Sequence, residues 1–540
     1  MGILITKVNM IMKTTKIQWL KPICLMLSAG IGLSACTKNF DDINTPKDVL
    51  IMDESLLGQA FAQAQYTAMC GQYQVGQNLY ADIYAQYFAT THRNFNSDQF
   101  SETAAWTNIA FNYFYASTAP QLYQVEQFTE QQAMPVENAI AKIWRVEMYH
   151  RVTDYFGPIM YSQFGNSETS VAYDSQESVY KDFFVTLDEA VAVLEQNQTA
   201  QAFGNHDQVY GGNAGKWLTF ANSLRLRLAM RIVYADPALA QSEAEKAIAA
   251  GVMMTNEDNA GVLSTINSIN GLATWTYINE FRMSAAMNSV LAGYNDPRLD
   301  AYFNEAGGRL GGTDGYKGLR NGLPAVEKAD GTINDTHSFV DTKWLPIIDG
   351  GANLPNVVMS VAEVYFLRAE GALRGWNMGG TAQDLYNEGV RLSLEQWTEA
   401  TPTEVDAYLS STNTPMPLDD QWNSPAMTDI PVVYQSGADF ETQLEQIITQ
   451  KWIALYPDGK EAWAERRRTG YPRGYAIINS LNPDIPITGM MRRLMFTTGE
   501  ISTNAVAVEA ARELLNGPDA NYTRVWWDAK PLDLFPTPTN

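Results

Sequence analysis

The chain has few of the residues that build metal centres and disulfide bonds. Its 540 residues include 4 His and 3 Cys. Cys24 and Cys36 lie in or directly after an N-terminal signal pattern, so Cys70 has no intrachain partner for a disulfide. So few histidines and the lack of a cysteine pair argue against a transition-metal site. We therefore expect no cofactor, and we expect Cys70, which lies in an apolar helical pattern, to be a small core residue.

Positive charge is also scarce. The chain has 37 Lys and Arg against 60 Asp and Glu, which gives a formal net charge of −23. The first 35 residues contribute four lysines and no acid, so the rest of the chain is more acidic still. Such a charge argues against nucleic acid or an anionic lipid surface as a ligand. Aromatic residues, by contrast, are plentiful, with 13 Trp, 27 Tyr and 21 Phe.

Motifs for catalysis and for nucleotide binding are missing. Residues 211–217 resemble a phosphate loop, but Tyr210 stands where that loop needs a glycine, and Trp217 stands where it needs a hydroxyl. The chain contains no nucleophile elbow and no His-Glu-x-x-His motif. We therefore predict that the protein is not an enzyme. A surface glycoside hydrolase is the alternative, because the many carboxylates could include an acid/base pair.

The N-terminus has the pattern of a secretory signal. Lys13, Lys16 and Lys21 precede an apolar run at residues 23–33. The run is shorter than the roughly 20 residues that a membrane-spanning helix needs. A positive flank followed by a short apolar run is typical of a signal peptide that is removed on export.

The signal ends in Leu33-Ser34-Ala35-Cys36, which resembles the lipobox of bacterial lipoproteins. Small residues before the cleavage point fit a peptidase cleft, and the Cys36 thiol can carry a diacylglycerol. We predict a signal peptide at 1–35, lipidation of Cys36 and a tether at 36–52. An ordinary signal peptide with a chance cysteine is the alternative.

The body at 53–540 has mainly helical periodicity. Apolar residues recur at helical spacing from Leu57 onward, and this character covers about 53–251 and 359–516. Ser360 and Glu363 predict a capping box at the start of one helix, and Thr381 predicts the cap of the next. Two such helices, with small residues at close-contact positions, resemble a tetratricopeptide unit. The predicted fold is mostly α, a superhelix of tetratricopeptide-like helix pairs.

Two stretches depart from this pattern. Residues 252–358 are rich in Gly, Asn and Asp and predict an irregular, loop-rich subdomain with short strands. Residues 91–109 mix polar and aromatic side chains and predict a loop.

Two sets of arginines lie on predicted helices, and their positions are 225, 227 and 231 in one helix and 466, 467 and 468 in another. In so acidic a chain we expect them to form ion pairs between helices. An anion site is the alternative interpretation.

Seven segments, taken in order, resemble the SusD/RagB nutrient-binding outer-membrane lipoproteins of Bacteroidetes. They are the lipobox, Phe40-Asp41-Asp42-Ile43-Asn44-Thr45-Pro46, Tyr155-Phe156-Gly157-Pro158-Ile159, residues 217–227 from Trp217 to Arg227, Asp296-Pro297-Arg298-Leu299, residues 362–370 from Ala362 to Glu370, and Gln450-Lys451-Trp452-Ile453-Ala454-Leu455. Each segment alone is weakly diagnostic, whereas their order over nearly the whole chain is specific.

The resemblance implies a lipid-anchored protein on the outer face of the outer membrane. It implies a SusC-like TonB-dependent transporter as partner, contact with the membrane through the lipid alone and no binding of nucleic acid. It also implies a non-catalytic role in which an oligosaccharide is captured and delivered to the transporter. A peptide in place of the glycan is the alternative ligand.

In this family the ligand surface draws on a loop after the first helices and on the irregular subdomain, which here are about 87–113 and 262–345. Sugar rings present apolar faces that stack on aromatic side chains, while amide and guanidinium groups bond to hydroxyls. The candidate ligand-binding residues are Arg93, Asn94, Trp106, Trp275, Tyr277 and Tyr316. Core or rim packing is the alternative role for each aromatic residue.

Overall fold

The structure is a computed structural model that describes residues 52–166, 170–265, 269–277, 279–329, 331–345 and 351–531, apart from the side chains of 273, 276 and 277. The predicted signal peptide, Cys36 and all but the last residue of the predicted tether lie outside the described residues. The described residues, from Met52 to residue 531, belong to one compact unit. Within the part described, no helix has both the length and the apolar character required to cross a membrane.

Helices dominate this unit. The first group is α1 Glu54–Met69, α2 Ala104–Tyr113, α3 Ala119–Gln131, α4 Pro135–Phe156, α5 Gln176–Glu195, α6 Ala214–Arg231 and α7 Pro237–Ala250. The second group is α8 Gly271–Tyr277, α9 Ala285–Tyr294, α10 Leu299–Tyr302 and α11 Ile333–Thr336. The third group is α12 Val361–Leu373, α13 Ala382–Trp397, α14 Pro402–Leu409, α15 Phe440–Leu455, α16 Gly459–Thr469, α17 Thr498–Thr503 and α18 Ala505–Arg512. Residues 74–82 and 114–118 are π-helical, and 3₁₀ turns occupy 97–99, 204–206, 256–258 and 342–344.

Local sequence sets the helix ends. The Asp53 carboxylate accepts hydrogen bonds from the amides of Ser55 at 2.9 Å and Leu56 at 3.1 Å, which satisfies free donors at the start of α1. α4 begins at Pro135 and ends at Gly157, whose φ of 81° is readily adopted only by glycine. Proline is common at the first position of a helix, and glycine is common directly after its last residue.

Helices that follow one another in sequence pack together. α4 lies against α3 and α5, α6 lies against α5 and α7, and α12 lies against α13 and α15. Large apolar side chains such as Trp144 and Trp217 are fully buried between them, with ring centroids 6.2 Å apart. The predicted mostly helical, tetratricopeptide-like fold is confirmed.

The short strands form two small antiparallel sheets. They are β1 Phe88–Thr90, β2 Ala260–Val262, β3 Phe281–Met283 and β4 Asn356–Met359. β1 pairs with β3, with Ala89 opposite Arg282, and β2 pairs with β4. β2 and β3 lie within 252–358, β4 lies at the end of that region, and β1 precedes the predicted loop.

Two local predictions are wrong. α2 begins at Ala104, so the loop predicted for 91–109 is shorter, and Trp106 lies in the first turn of a helix. Ser360 accepts a hydrogen bond from the Glu363 amide at 3.3 Å as expected of a cap, but the Glu363 side chain does not reach back. It bonds to Arg227 instead, because a buried guanidinium is a stronger partner than a backbone amide.

Most of the arginines do form ion pairs between helices. Arg227 of α6 donates two hydrogen bonds to Glu363 of α12, at 2.8 and 2.7 Å. Arg468 of α16 binds Glu370 of α12 in the same bidentate manner, at 2.7 and 2.6 Å. Arg225 pairs with Asp188 and Glu243. The expected role is confirmed for these three.

Arg231 lies at the centre of this network. It forms ion pairs with Asp154, Glu461 and Glu465, and its side chain is fully buried. Burial by itself raises the pKa of Glu465, but Arg468 and Lys451 more than offset it, so the pKa falls to about 2. Arg151 of α4 pairs with Glu147 of the same helix and with Asp458, which directly precedes α16. We name the ion pairs that connect α4, α6, α12 and α16 through Arg151, Arg227, Arg231 and Arg468 the buried network.

Candidate functional site

The two predicted ligand segments meet in the structure. β1 and β3 pair directly, and beyond them the Thr91 amide donates to the Glu280 carbonyl oxygen at 2.9 Å. The Thr91 hydroxyl donates to Asn279 O at 3.2 Å and to Asn334 Oδ1 at 2.8 Å. The segments are nearly two hundred residues apart in sequence, so this contact is set by the tertiary structure.

A buried lysine fixes the loop that follows β1. Lys328 Nζ donates to Thr90 Oγ1 at 2.6 Å, to Phe95 O at 3.1 Å and to Asp98 Oδ1 at 2.9 Å. Asp98 Oδ2 in turn accepts from the Gly322 amide at 3.1 Å. The loop therefore rests on the 321–328 stretch, and residues 92–94 project beyond it.

Aromatic rings form a connected group at this junction. Phe95 lies 4.7 Å from His92, 5.5 Å from Trp106 in an edge-on arrangement and 6.3 Å from Phe281 in a stacked one, measured between ring centroids. Trp106 also lies 6.4 Å from Tyr80. We name His92, Phe95, Trp106 and Phe281 the ring group. His92, Phe95 and Trp106 are partly exposed, whereas Phe281 is buried.

The predicted polar residues lie beside the ring group. Arg93 and Asn94 are exposed at the tip of the loop, and the Asn94 amide donates to His92 Nδ1 at 3.4 Å. An exposed guanidinium and an exposed amide next to partly exposed rings are suited to bind hydroxyl groups. Arg93, Asn94 and Trp106 are thus brought together.

The other three predicted residues are less closely placed. Trp275 is partly buried and packs on the main core, and Tyr316 is partly buried and donates from its hydroxyl to Asp300 Oδ1 at 2.6 Å. Within the described residues no aromatic contact joins either ring to the ring group. The Tyr277 side chain lies outside what the structure describes. The assignment of these three residues to the ligand site therefore stays a prediction.

Sequence reasoning missed the carboxyl group at the same junction. Glu280 precedes β3 directly, is half-buried and accepts a hydrogen bond from Gln74. Burial raises its pKa to about 7, and the bond from Gln74 opposes the shift only in part. Glu280 is one of 60 Asp and Glu residues, and only its burial distinguishes it from the others, so no sequence pattern marks it.

The part of the chain that the structure describes was also searched for groups of side chains that could bind a metal ion. Among the described residues, no three His, Cys, Asp or Glu side chains are grouped so that they could hold a metal ion. Cys70 is buried in α1's C-terminal turn as expected of a core residue, and burial raises the pKa of its thiol to about 12.

Comparison with known proteins identifies the family. A family model described as SusD-like, the SusD and RagB outer-membrane lipoproteins, matches residues 38–528. The chain belongs to the SusD-like family. This membership confirms the resemblance noted in the sequence and the predicted class of outer-membrane lipoprotein. No match was found among the curated proteins.

Solved SusD-like structures agree over most of the chain. A chitin-binding SusD homologue from Flavobacterium johnsoniae is 36% identical with a TM-score of 0.80, and the match covers 88% of this chain and 99% of that one. A SusD homologue from Bacteroides vulgatus is 33% identical with a TM-score of 0.80, covering 88% and 98%. A chitin-binding protein is 27% identical with a TM-score of 0.72, covering 88% and 100%.

Proposed function

We propose that this SusD-like protein binds an oligosaccharide at the junction of β1 and β3 and delivers it to a SusC-like TonB-dependent transporter. The observation that carries the proposal is the ring group beside Arg93 and Asn94, where two distant segments are held together. The surface presents apolar ring faces and hydrogen-bonding groups side by side, which is what a sugar requires. Delivery to a transporter rests on family membership and not on a contact in this chain.

A glycan of N-acetylated sugars is the first ligand to test. Two structures that resemble this chain are described as chitin-binding, one of them 36% identical. We expect the mature protein to bind chitin hexasaccharide in calorimetry more tightly than maltohexaose or a random peptide pool. Preference for the peptide pool would contradict the glycan proposal and support the peptide alternative.

Substitution of Trp106 tests the location. Trp106→Ala should weaken binding roughly tenfold or less, because one stacked ring contributes on the order of 1 kcal/mol. Trp106 also packs on Tyr80, so unfolding is measured in parallel and Trp106→Phe serves as a milder variant. Trp376→Ala, which removes a partly buried tryptophan outside both ligand segments, is the matched control and should leave affinity unchanged.

Capture without cleavage is part of the proposal. The hydrolase alternative is favoured by one observation, the raised pKa of the half-buried Glu280, since a carboxyl that is still partly protonated near pH 7 can act as a general acid. Incubation with chitin hexasaccharide followed by product chromatography decides between them. Shorter products that vanish in Glu280→Gln would overturn the non-catalytic proposal.

The transporter partnership and the lipid anchor are both tested in cells. We propose that Cys36 carries lipid and that a gentle detergent pull-down recovers a TonB-dependent barrel in near-equal amount. Cys36→Ser should release the protein from the membrane fraction and lower the recovery of the barrel. Retention of Cys36→Ser after a high-salt wash would contradict lipidation, and recovery of the wild-type protein alone would contradict the partnership.

A further inference from the structure

Three consecutive arginines of α16 have three different environments. Arg468 is neutralised by Glu370 and Glu465. Arg467 donates to the carbonyl oxygens of Asp154 at 2.6 Å and of Arg492 at 2.9 Å. Arg466 donates only to the Tyr84 carbonyl oxygen, at 2.6 Å, among the described residues. The buried network therefore does not extend to Arg466.

The guanidinium of Arg466 is buried and largely unsatisfied. Its side chain is only 4% exposed, and Nε has no hydrogen-bond partner in the described part of the chain. A guanidinium carries five N–H donors, of which one is used here. Burial lowers its pKa to about 9, with no opposing contribution from a carboxylate. Burying a cation without a compensating charge destabilises the folded protein.

The residues that carry these unsatisfied donors line a small cavity. Its volume is about 20 Å³, which is room for a single water or small ion, and it is lined by Tyr84, Gln86, Asp98, Asn321, Arg466 and Gly474 among others. A Cβ at Gly474 would overlap Arg466 Nη2, so the guanidinium needs a glycine at this position. The Tyr84 hydroxyl is likewise buried without a partner in the described residues. Two residues of the cavity lining thus carry buried donors without acceptors in the described part of the chain.

Several of the other polar groups on the cavity lining are already engaged. Asp98 pairs with Lys328 at 2.9 Å. Asn321 Nδ2 donates to Phe88 O at 2.8 Å, and Gln86 Nε2 donates to Tyr475 O at 2.8 Å. With Asp98 neutralised by Lys328, the lining retains a single positive charge, that of Arg466.

We propose that this cavity is a binding site for a small monovalent anion, chloride being the simplest, held by the guanidinium of Arg466. An anion satisfies several N–H donors at once and offsets the buried charge, whereas water satisfies donors without offsetting charge. The carboxylate of Asp98 on the same lining disfavours a divalent anion. The site lies under the β1 loop and does not include the ring group, so it is independent of the proposed glycan function.

Bromide, an anomalous scatterer, tests the site directly. Crystals of the mature wild-type protein grown in sodium bromide should show an anomalous peak in contact with the Arg466 guanidinium. A well-ordered site with only water density and no anomalous signal there would overturn the proposal. This measurement needs no variant, so it does not depend on whether a substituted protein folds.

Thermal unfolding provides the second test. A ligand that binds only the folded state raises the melting temperature as its concentration increases. The wild-type protein should melt a few degrees higher in sodium chloride than in sodium methanesulfonate, a bulkier monovalent salt, at equal ionic strength. Arg466→Gln should lose this difference, while Arg467→Gln, equally buried on the same helix, should keep it. Equal melting temperatures of the wild-type protein in the two salts would contradict the site.

Discussion

The helical body and the β1–β3 junction use charged and aromatic residues in opposite ways. In the body, guanidinium groups such as that of Arg231 are fully buried and matched by carboxylates from other helices. At the junction, Arg93 projects into solvent and the Trp106 ring is partly exposed. The body therefore uses polar chemistry for folding, and the junction keeps it available for a ligand.

The largest expected loss of folding stability comes from a substitution that breaks the buried network. Arg231→Met leaves Asp154, Glu461 and Glu465 without their shared cation, and removing one partner of a buried ion pair costs about 3–5 kcal/mol. Denaturant unfolding should show this loss in the free energy of unfolding. Arg391→Met, in a largely exposed pair with Asp406, is the control and should cost at most about 1 kcal/mol. If the two variants lost equal free energy of unfolding, the buried ion pairs of the helical body would contribute no more to folding than an exposed pair does.

The second prediction concerns Asp82, a fully buried carboxyl near the start of β1. It accepts hydrogen bonds from Tyr73, Gln77 and Asn78, yet burial outweighs them and raises its pKa to about 7. A folded pKa above the unfolded one means that the folded state binds the proton more tightly. Stability that Asp82 contributes below its unfolded pKa is therefore lost as the pH rises to about 7.

Asp82→Asn should remove this dependence. We expect the free energy of unfolding of the wild type, relative to the variant, to fall by on the order of 2–4 kcal/mol between pH 4 and pH 8, since one pKa unit is worth about 1.4 kcal/mol. Glu465 of the buried network behaves oppositely: its folded pKa of about 2 lies below the unfolded one, so the stability that it contributes above its unfolded pKa is lost progressively as the pH falls toward about 2. A difference between wild type and variant that does not change with pH would contradict the raised pKa.

The smallest effects on folding are expected at the loop tip. Arg93→Ala and Asn94→Ala remove exposed side chains, so each should change the free energy of unfolding by less than about 0.5 kcal/mol. If these groups bind sugar hydroxyls, each substitution should weaken binding of chitin hexasaccharide severalfold, at about 1 kcal/mol per hydrogen bond. Unchanged affinity in the double variant would place the ligand elsewhere on the surface.

The sequence by itself determined the helical body and the family. Helical spacing, Asp53 as a cap and Gly157 as a stop act within a few residues, so their effect is visible locally. Arginines on predicted helices, in a chain with an excess of acidic residues, likewise predicted internal ion pairs. The ordered motifs from the lipobox to residue 455 indicated an outer-membrane lipoprotein of the SusD-like family, which the match over residues 38–528 confirms.

Which side chains bond to one another was decided only by the tertiary structure. Glu363 reads as a capping residue in sequence, but folding places Arg227, 136 residues away, against it. Arg466, Arg467 and Arg468 are identical neighbours in sequence, yet among the described residues only Arg468 forms ion pairs with carboxylates, because each side chain leaves the helix in a different direction. The junction of Thr91 with Glu280 arises in the same way, since burial and long-range contact depend on packing that no short stretch of sequence encodes.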